Sequence, residues 1–320
     1  MKDFSRFIKI VQVYSDIAGR RKGAGLGIDA LMKSCEDSGS RYFKKYPAEV
    51  ILDENASYVD ASKYKYAKYI DKVSLVINRV ASRIKNLREE KLFPIVISGD
   101  HASCAGTMHG LKMAHPNDDI GVVYIDAHAD IHSPYTSASG NMHGMPLSIV
   151  TAEDNIENKI NNPTIEEQRY WEKLKNLVST TASIKPENIV FCALRDYERA
   201  EESLINKYNI SKYSAKDITY KGIKNVVEEI FTKLENCKYV YVSFDVDSID
   251  PIYLPGTGTP SEFGLSFEQA LQLNMQLVKN EKVCCWEIAE INPKYDENNR
   301  GTMAIFNILE MVTKMLIKNY

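Results

Sequence analysis

Apolar, β-branched runs alternate with stretches of helical period along this chain, and that alternation restricts the fold more than any other feature. Phe7-Ile-Lys-Ile-Val-Gln-Val-Tyr, Pro94-Ile-Val-Ile-Ser, Gly121-Val-Val-Tyr-Ile, Asn188-Ile-Val-Phe-Cys-Ala-Leu, Tyr239-Val-Tyr-Val-Ser-Phe and Lys282-Val-Cys-Cys-Trp-Glu-Ile read as strands. Helices are expected from about Ile28, over 61–90, up to about Ala114, from Thr164 to about Leu177, after Glu198, and over 219–236, 266–279 and 301–318. No Pro-, Gly- or Ser-rich linker and no internal repeat divides them. The expectation is therefore one α/β domain over residues 1–320, a three-layer sandwich with a mainly parallel central sheet. Ligands of such sheets bind beyond the carboxyl ends of the strands.

Charge and composition remove several classes of function. A formal charge of −3, with Lys and Arg dispersed, gives no footprint for nucleic acid. The short run Arg20-Arg21-Lys22 reads as a solvated loop. No stretch approaches the ~18 apolar residues of a membrane span, and Met1-Lys-Asp-Phe-Ser-Arg-Phe carries no export signal. Cys35, Cys104, Cys192, Cys237, Cys284 and Cys285 have no metal-ribbon or CxxC spacing, so buried reduced thiols in a cytoplasmic protein are expected. The glycines of 18–27 do not form GxGxxG, which argues against a dinucleotide fingerprint. The tyrosines between 61 and 90 fall on a core-facing helical stripe. An Asn-rich stretch, 154–163, leads into a capping box at Thr164 and Glu167, and 154–178 reads as a surface insertion. Its helix, with Tyr170 and Trp171, either covers a sheet edge or makes a contact.

The six histidines all lie between His101 and His143. Asp126, His128 and Asp130 alternate directly after the strand that ends at Ile125, so a continued extended backbone would put them on one face. Asp245 and Asp247 alternate in the same way after Ser243-Phe, and Gly99-Asp-His101 follows a third strand. Carboxylates and imidazoles converging at strand ends make a poor core and a good metal site. His109 and His115, on and after a helix, are assigned to packing or surface. Asp250, before a proline, is read as a loop organiser.

Gly-Asp-His, Asp-x-His-x-Asp and Ser-x-Asp-x-Asp-x-x-Asp-Pro, in that order, resemble the ureohydrolase family of arginases, agmatinases and formiminoglutamases. The resemblance runs from the Gly-rich turn to Glu287-Ile-Ala-Glu-Ile-Asn-Pro, and Ser139-Gly-Asn-Met-His143-Gly-Met-Pro is similar to the arginase branch. It implies two Mn²⁺ per subunit, with Co²⁺ or another divalent ion as alternatives. His101 and Asp130 would hold one ion, His128 and Asp247 the other, and Asp126 and Asp245 both. It also implies His143 as proton shuttle, Glu290 as guanidinium-binding carboxylate, and Asp130 among the residues that carry catalysis. Thr259 would line the site. An oxygen-rich donor set suits a hard metal, and two such ions lower the pKa of a shared water.

The resemblance further implies that Ser139 and Asn141 recognise an α-carboxylate. His132 stands where many arginases have Asn, and Glu198 where they have Asp for the α-amino group. His retains a hydrogen-bond donor, and Glu retains the charge on a longer arm. The implied activity is hydrolysis of L-arginine to L-ornithine and urea, with no nucleic-acid or membrane partner and with trimeric or hexameric assembly. The alternatives are another ureohydrolase, acting on agmatine, a guanidino acid or formiminoglutamate, and a catalytically silent binding protein on the same fold.

Overall fold

The computed structural model describes residues 7–59 and 61–318. Residues 1–6, where no export signal was read, lie outside them, as do residues 60 and 319–320; the limits of the expected 1–320 domain fall there too. Eight strands form one sheet: β1 (Ile8–Val13), β2 (Ala48–Ile51), β3 (Phe93–Ser98), β4 (Ile120–Ile125), β5 (Ile189–Cys192), β6 (Ser211–Tyr213), β7 (Tyr239–Asp245) and β8 (Val283–Ala289). Their order is β2-β1-β3-β8-β7-β4-β5-β6 and every neighbouring pair is parallel.

Parallel strands need crossovers, and helices supply them on both faces. They are α1 (Gly27–Asp37), α2 (Tyr42–Lys45), α3 (Ile70–Glu89), α4 (Cys104–Ala114), α5 (Pro146–Thr151), α6 (Ile165–Lys175), α7 (Arg199–Lys207), α8 (Ala215–Lys221), α9 (Ile223–Lys233), α10 (Phe267–Leu277) and α11 (Arg300–Lys318). The period of two along β4 separates the layers. Val123 and Ile125 join a core with Leu31 of α1, Ile230 of α9, Leu273 of α10 and Leu309 of α11. Val122 and Tyr124 join a second core with Ile77 of α3, Met108 of α4, Ile149 of α5 and Trp171 of α6. This is the three-layer α/β sandwich the alternation predicts. All six cysteines are free and buried.

Three expectations are corrected. The helix expected over 61–90 starts only at Ile70. Tyr69 is left-handed (φ 56°), and the Glu167 carboxylate accepts the amides of Tyr66 and Ala67, so the backbone there has partners other than its own helix. The helix expected over 219–236 is two, α8 and α9, broken at Gly222 (φ 81°). Strands β2 and β6 were not anticipated; four and three residues long, they carry too little pattern to register. The helix α6, within the expected surface insertion 154–178, has an exposed face with Glu166, Arg169, Glu172 and Lys173 and a buried one. Its capping box forms as read, Trp171 and Glu167 are wholly buried, and the helix packs on α3 and α5.

The strand order also positions the polar strand ends. β3, β8, β7 and β4 stand side by side at the centre of the sheet. Their carboxyl ends deliver His101, Glu290, Asp245 and Asp126 to one place, where parallel sheets open their ligand crevice. Gly99 makes the close approach possible, since a Cβ there would sit 2.2 Å from the Ser15 carbonyl oxygen.

Candidate functional site

At the end of β4 the extended path does not continue through Asp130. The Asp126 amide still pairs with the Cys192 carbonyl, and His128 forms a bridge to Asp196. Asp130 then turns left-handed (φ 49°), so it reaches the others through a turn rather than by strand alternation. The three side chains converge all the same.

Around His101 Nδ1 lie three carboxylate oxygens: Asp126 Oδ2 at 2.9 Å, Asp245 Oδ2 at 3.1 Å and Asp130 Oδ2 at 3.3 Å. Around His128 Nδ1 lie Asp247 Oδ2 at 3.0 Å and Asp126 Oδ1 at 3.5 Å. Asp126 thus turns one oxygen to each imidazole. Asp245 also accepts the Asp247 amide at 2.8 Å, which ties its strand end to the following turn. Two groups, His101 with Asp126 and Asp130, and Asp126 with His128 and Asp247, each have donor atoms within 4.8 Å of one another, close enough for one ion.

The donors fit divalent cations better than they fit each other. His101 Nε2 lies 2.8 Å from Ser243 Oγ. A proton placed there leaves Nδ1 as a lone pair aimed at three carboxylates. Asp126 Oδ2 is buried and accepts no hydrogen bond. Four buried carboxylates against two imidazoles leave negative charge that costs several kcal/mol per ion unless a cation meets it. Burial, then the neighbouring Asp247, pushes the Asp126 carboxyl up to about 6 and raises Asp245 well above the carboxylate range. Asp247, despite its burial, is held below that range by His128.

Supporting side chains hold the two imidazoles. The Tyr124 ring stacks on His101 at 4.6 Å, and its hydroxyl donates to Asp130 Oδ2 at 2.9 Å. Behind Ser243, the Tyr241 hydroxyl is shared with Glu287, which also accepts from Ser98 and Thr107. The Asp196 carboxylate lies 3.6 Å from His128 Nε2. Sequence reasoning missed Tyr124, Asp196 and Ser243 in these roles. Asp196 could have been found from its place directly beyond a strand end. Tyr124 could not, since a tyrosine inside a strand reads as core.

Glu290, left-handed at φ 66°, sits at the end of β8 and accepts the His101 amide at 3.1 Å. The same oxygen is 3.2 Å from His143 Nδ1. Burial alone would lower the His143 pKa, but the Glu290 carboxylate raises it above the ordinary histidine value. Beside these groups a cavity of ≈ 240 Å³ is lined by His128, Asp130, His132, Ser139, Asn141, His143, Glu198, Asp245, Asp247 and Thr259, and by Arg20, Asp196 and Glu201. His101 and Asp126 lie outside its lining, and Glu290 meets it through His143. Thr259 Oγ1 donates to Asp247 Oδ2 at 3.1 Å. Asp250 accepts the amides of Ile252 and Gly264, so it organises its loop.

His132 Nδ1 is 3.1 Å from Thr136 Oγ1, and its Nε2 lies 3.4 Å from Glu201 and 3.7 Å from Glu198. Glu201 was not singled out from sequence. Its signal was the Glu198-x-x-Glu201 capping spacing, and its carboxylate does accept the Glu198 amide. The run 20–22 is not simply a solvated loop: Arg20 lines the cavity, while Lys22 packs 3.1 Å above the Tyr58 ring and donates to the carbonyls of Asp16 and Gly19. His109 and His115 stay away from the site; one is buried against Ser183 and the other stacks on Tyr239.

Residues 7–314 match the model of the Arginase family. An arginase of Staphylococcus aureus (strain MRSA252) is 33% identical over 310 residues, covering 91% of this chain and 92% of that protein. An arginase of Bacillus subtilis (strain 168) is 28% identical over 316 residues, covering 97% of this chain and 99% of that protein. Among solved structures, Entamoeba histolytica arginase in complex with L-ornithine superposes with a TM-score of 0.79 at 25% identity, covering 97% of each chain.

Proposed function

The chain belongs to the arginase family, and on that premise we propose that it hydrolyses L-arginine to L-ornithine and urea. The observation that carries the reading is the pair of donor groups sharing Asp126, which reach a cavity through His128, Asp130 and Asp247 and meet Ser139, Asn141 and Glu198 in its lining. In this reading His101 and Asp130 hold one divalent ion, His128 and Asp247 the other, and Asp126 and Asp245 serve both. The carboxylate-rich donor set favours Mn²⁺, with Co²⁺ as a substitute. Ions bound there would supply hydroxide near neutral pH by lowering the pKa of water.

The remaining work belongs to the chain's own side chains. Glu290 faces the cavity floor through His143, and a carboxylate there orients a guanidinium by paired charge-assisted hydrogen bonds. His143, poised by Glu290, moves the proton that the departing amine requires. Ser139 and Asn141 take the α-carboxylate, Glu198 takes the α-amino group, and His132 stands between them and Glu201. Thr259 steadies Asp247. The buried free thiols suit a reducing compartment, and we propose a cytoplasmic enzyme; trimeric or hexameric assembly is proposed from the family resemblance alone. No helix among the described residues is long and apolar enough to cross a membrane.

The test is urea release from L-arginine and from agmatine in parallel, with metal-stripped protein reloaded with Mn²⁺ or Co²⁺. Urea from arginine alone is the expected result. Urea from agmatine alone would keep the metal chemistry and overturn the substrate. A protein that holds no metal would overturn both.

A further inference from the structure

We propose that Arg20 binds the carboxylate of the amino-acid substrate, facing the acidic wall of Glu198 and Glu201 across the cavity mouth; this deepens the arginase reading and rests on it. Among the side chains that line the cavity, Arg20 alone has a permanent positive charge. Its guanidinium forms no hydrogen bond or ion pair with another described residue. Its neighbours are engaged: Arg21 lies over the Tyr295 ring at 5.3 Å, and Lys22 is tied to Asp16, Gly19 and Tyr58. Of the three adjacent cations only Arg20 lines the cavity.

The fold sets Arg20 and Glu198 on opposite walls. Arg20 belongs to the loop between β1 and α1, and Glu198 to the segment between β5 and α7. In the sheet, β1 and β5 stand on either side of β3, β7 and β4, whose ends bear the metal-binding groups. Asp245 and Asp247 are buried at the floor, whereas Arg20, Ser139 and Glu198 are exposed at the mouth. The mouth therefore has a cationic wall and an anionic wall, which matches the zwitterionic head of an α-amino acid.

Two nearby groups support the same orientation. Lys68 Nζ donates to Asn141 Oδ1 at 3.1 Å, which fixes the amide so that its NH₂ remains as a donor for the cavity. The exposed Ser139 offers a hydroxyl beside it. Arg20, Asn141 and Ser139 together form a donor set for a carboxylate. Like-charge repulsion from Arg20 also disfavours a reversed substrate with its guanidinium at the mouth.

The experiment compares the metal-loaded parent with Arg20→Met and Arg20→Lys, reading urea release from L-arginine and calorimetric binding of L-ornithine and of putrescine, which lacks the carboxylate. For Arg20→Met, KM for arginine and Kd for ornithine are expected to rise about 10–100-fold, the loss of one charge-assisted contact. The head is remote from the reacting carbon, so kcat should stay within about threefold. Putrescine should bind as tightly as before or more tightly, and Arg20→Lys should recover part of the loss. Lys68→Met should weaken ornithine by less, through the freed Asn141 amide. Unchanged ornithine affinity in Arg20→Met, or equal weakening of ornithine and putrescine, overturns the inference while leaving the proposed function standing. A parent that neither binds ornithine nor releases urea from arginine overturns that function and this inference with it.

Discussion

Asp126 Oδ2 and His101 Nδ1 meet at 2.9 Å in a place closed to solvent, yet that oxygen accepts no hydrogen bond. With the imidazole proton on the Ser243 side, two lone pairs face each other, an arrangement that a cation between them would stabilise. Chelation should therefore lower the unfolding temperature, and Mn²⁺ should restore it. A ligand at 100 times its Kd contributes about 2.7 kcal/mol to stability. Asp126→Asn, which weakens a donor common to both groups, should bind neither ion tightly. Metal content and thermal unfolding, with and without chelator, check this. Two ions retained by Asp126→Asn would refute the shared role.

The contact of His143 Nδ1 with Glu290 Oε1 at 3.2 Å couples the proposed proton carrier to the proposed guanidinium site. His143→Asn should lose about 10²–10⁴ in kcat, the usual contribution of a general acid or base. Glu290→Gln keeps the shape and removes the charge, so it should lower kcat/KM by at least about 10². Both variants should still carry two ions. If either lost its metal, the defect would belong to the metal groups instead.

Far from the site, burial inside α4 depresses the His109 pKa to about 4. Above the unfolded value of about 6.5 neither state binds the proton, and no stability is lost. Between about 6.5 and 4 the unfolded chain takes up a proton that the folded chain refuses, so stability falls as the pH falls. At 1.36 kcal/mol per pKa unit the loss reaches about 3 kcal/mol near pH 4. His109→Gln keeps a donor for Ser183 and removes the titration, so its denaturation midpoint should fall less steeply with acid than the parent's. Parallel pH profiles of the two would contradict the assignment.

Trp171 shows where burial exceeds what the sequence suggests. Its indole is wholly buried against the α3 side of the sheet, and Nε1 donates to Asp154 Oδ1 at 2.7 Å, an oxygen shared with Lys175. Trp171→Ala should cost about 3–5 kcal/mol, as for a large aromatic removed from a core. Trp171→Phe should cost less, leaving Asp154 to Lys175. Urea denaturation measures both, and an undisturbed midpoint for Trp171→Ala would refute the packing role of its buried face.

What could be read in advance followed local pattern. β3, β4, β7 and β8 announce themselves as apolar β-branched runs, and their polar ends, Gly99-Asp-His101, Asp126 and Ser243-Phe-Asp245, follow at once. The capping box of Thr164 and Glu167 is local too, and it forms. What escaped was tertiary. Glu167 serves its own helix with one oxygen and the amides of Tyr66 and Ala67, a hundred residues away, with the other. Glu201 similarly hides a place beside His132 behind a capping spacing. Arg20 sits among charged neighbours whose different fates depend on Tyr58 and Tyr295, which no periodicity brings near.

Arg195 spends its whole guanidinium on main-chain oxygens. Nε donates to Glu262, Nη1 to Ala193, and Nη2 to Asp247 and Ser261, all at 2.8–2.9 Å. It thereby clamps the loop that carries Thr259 to the end of β5 and fixes the backbone of Asp247. Lysine keeps the charge but not the planar fork, so it cannot reach carbonyls on several sides at once. Arg195→Lys should speed amide exchange over 248–264 and weaken the ion assigned to His128 and Asp247 more than the one assigned to His101. Stability should fall by about 1–3 kcal/mol, the cost of leaving the carbonyls of the buried Ala193 and Asp247 without this partner. Hydrogen exchange and two-site metal titration would read these effects separately. Unchanged exchange in that loop would mean that Asp250, which accepts the amides of Ile252 and Gly264, suffices to hold it.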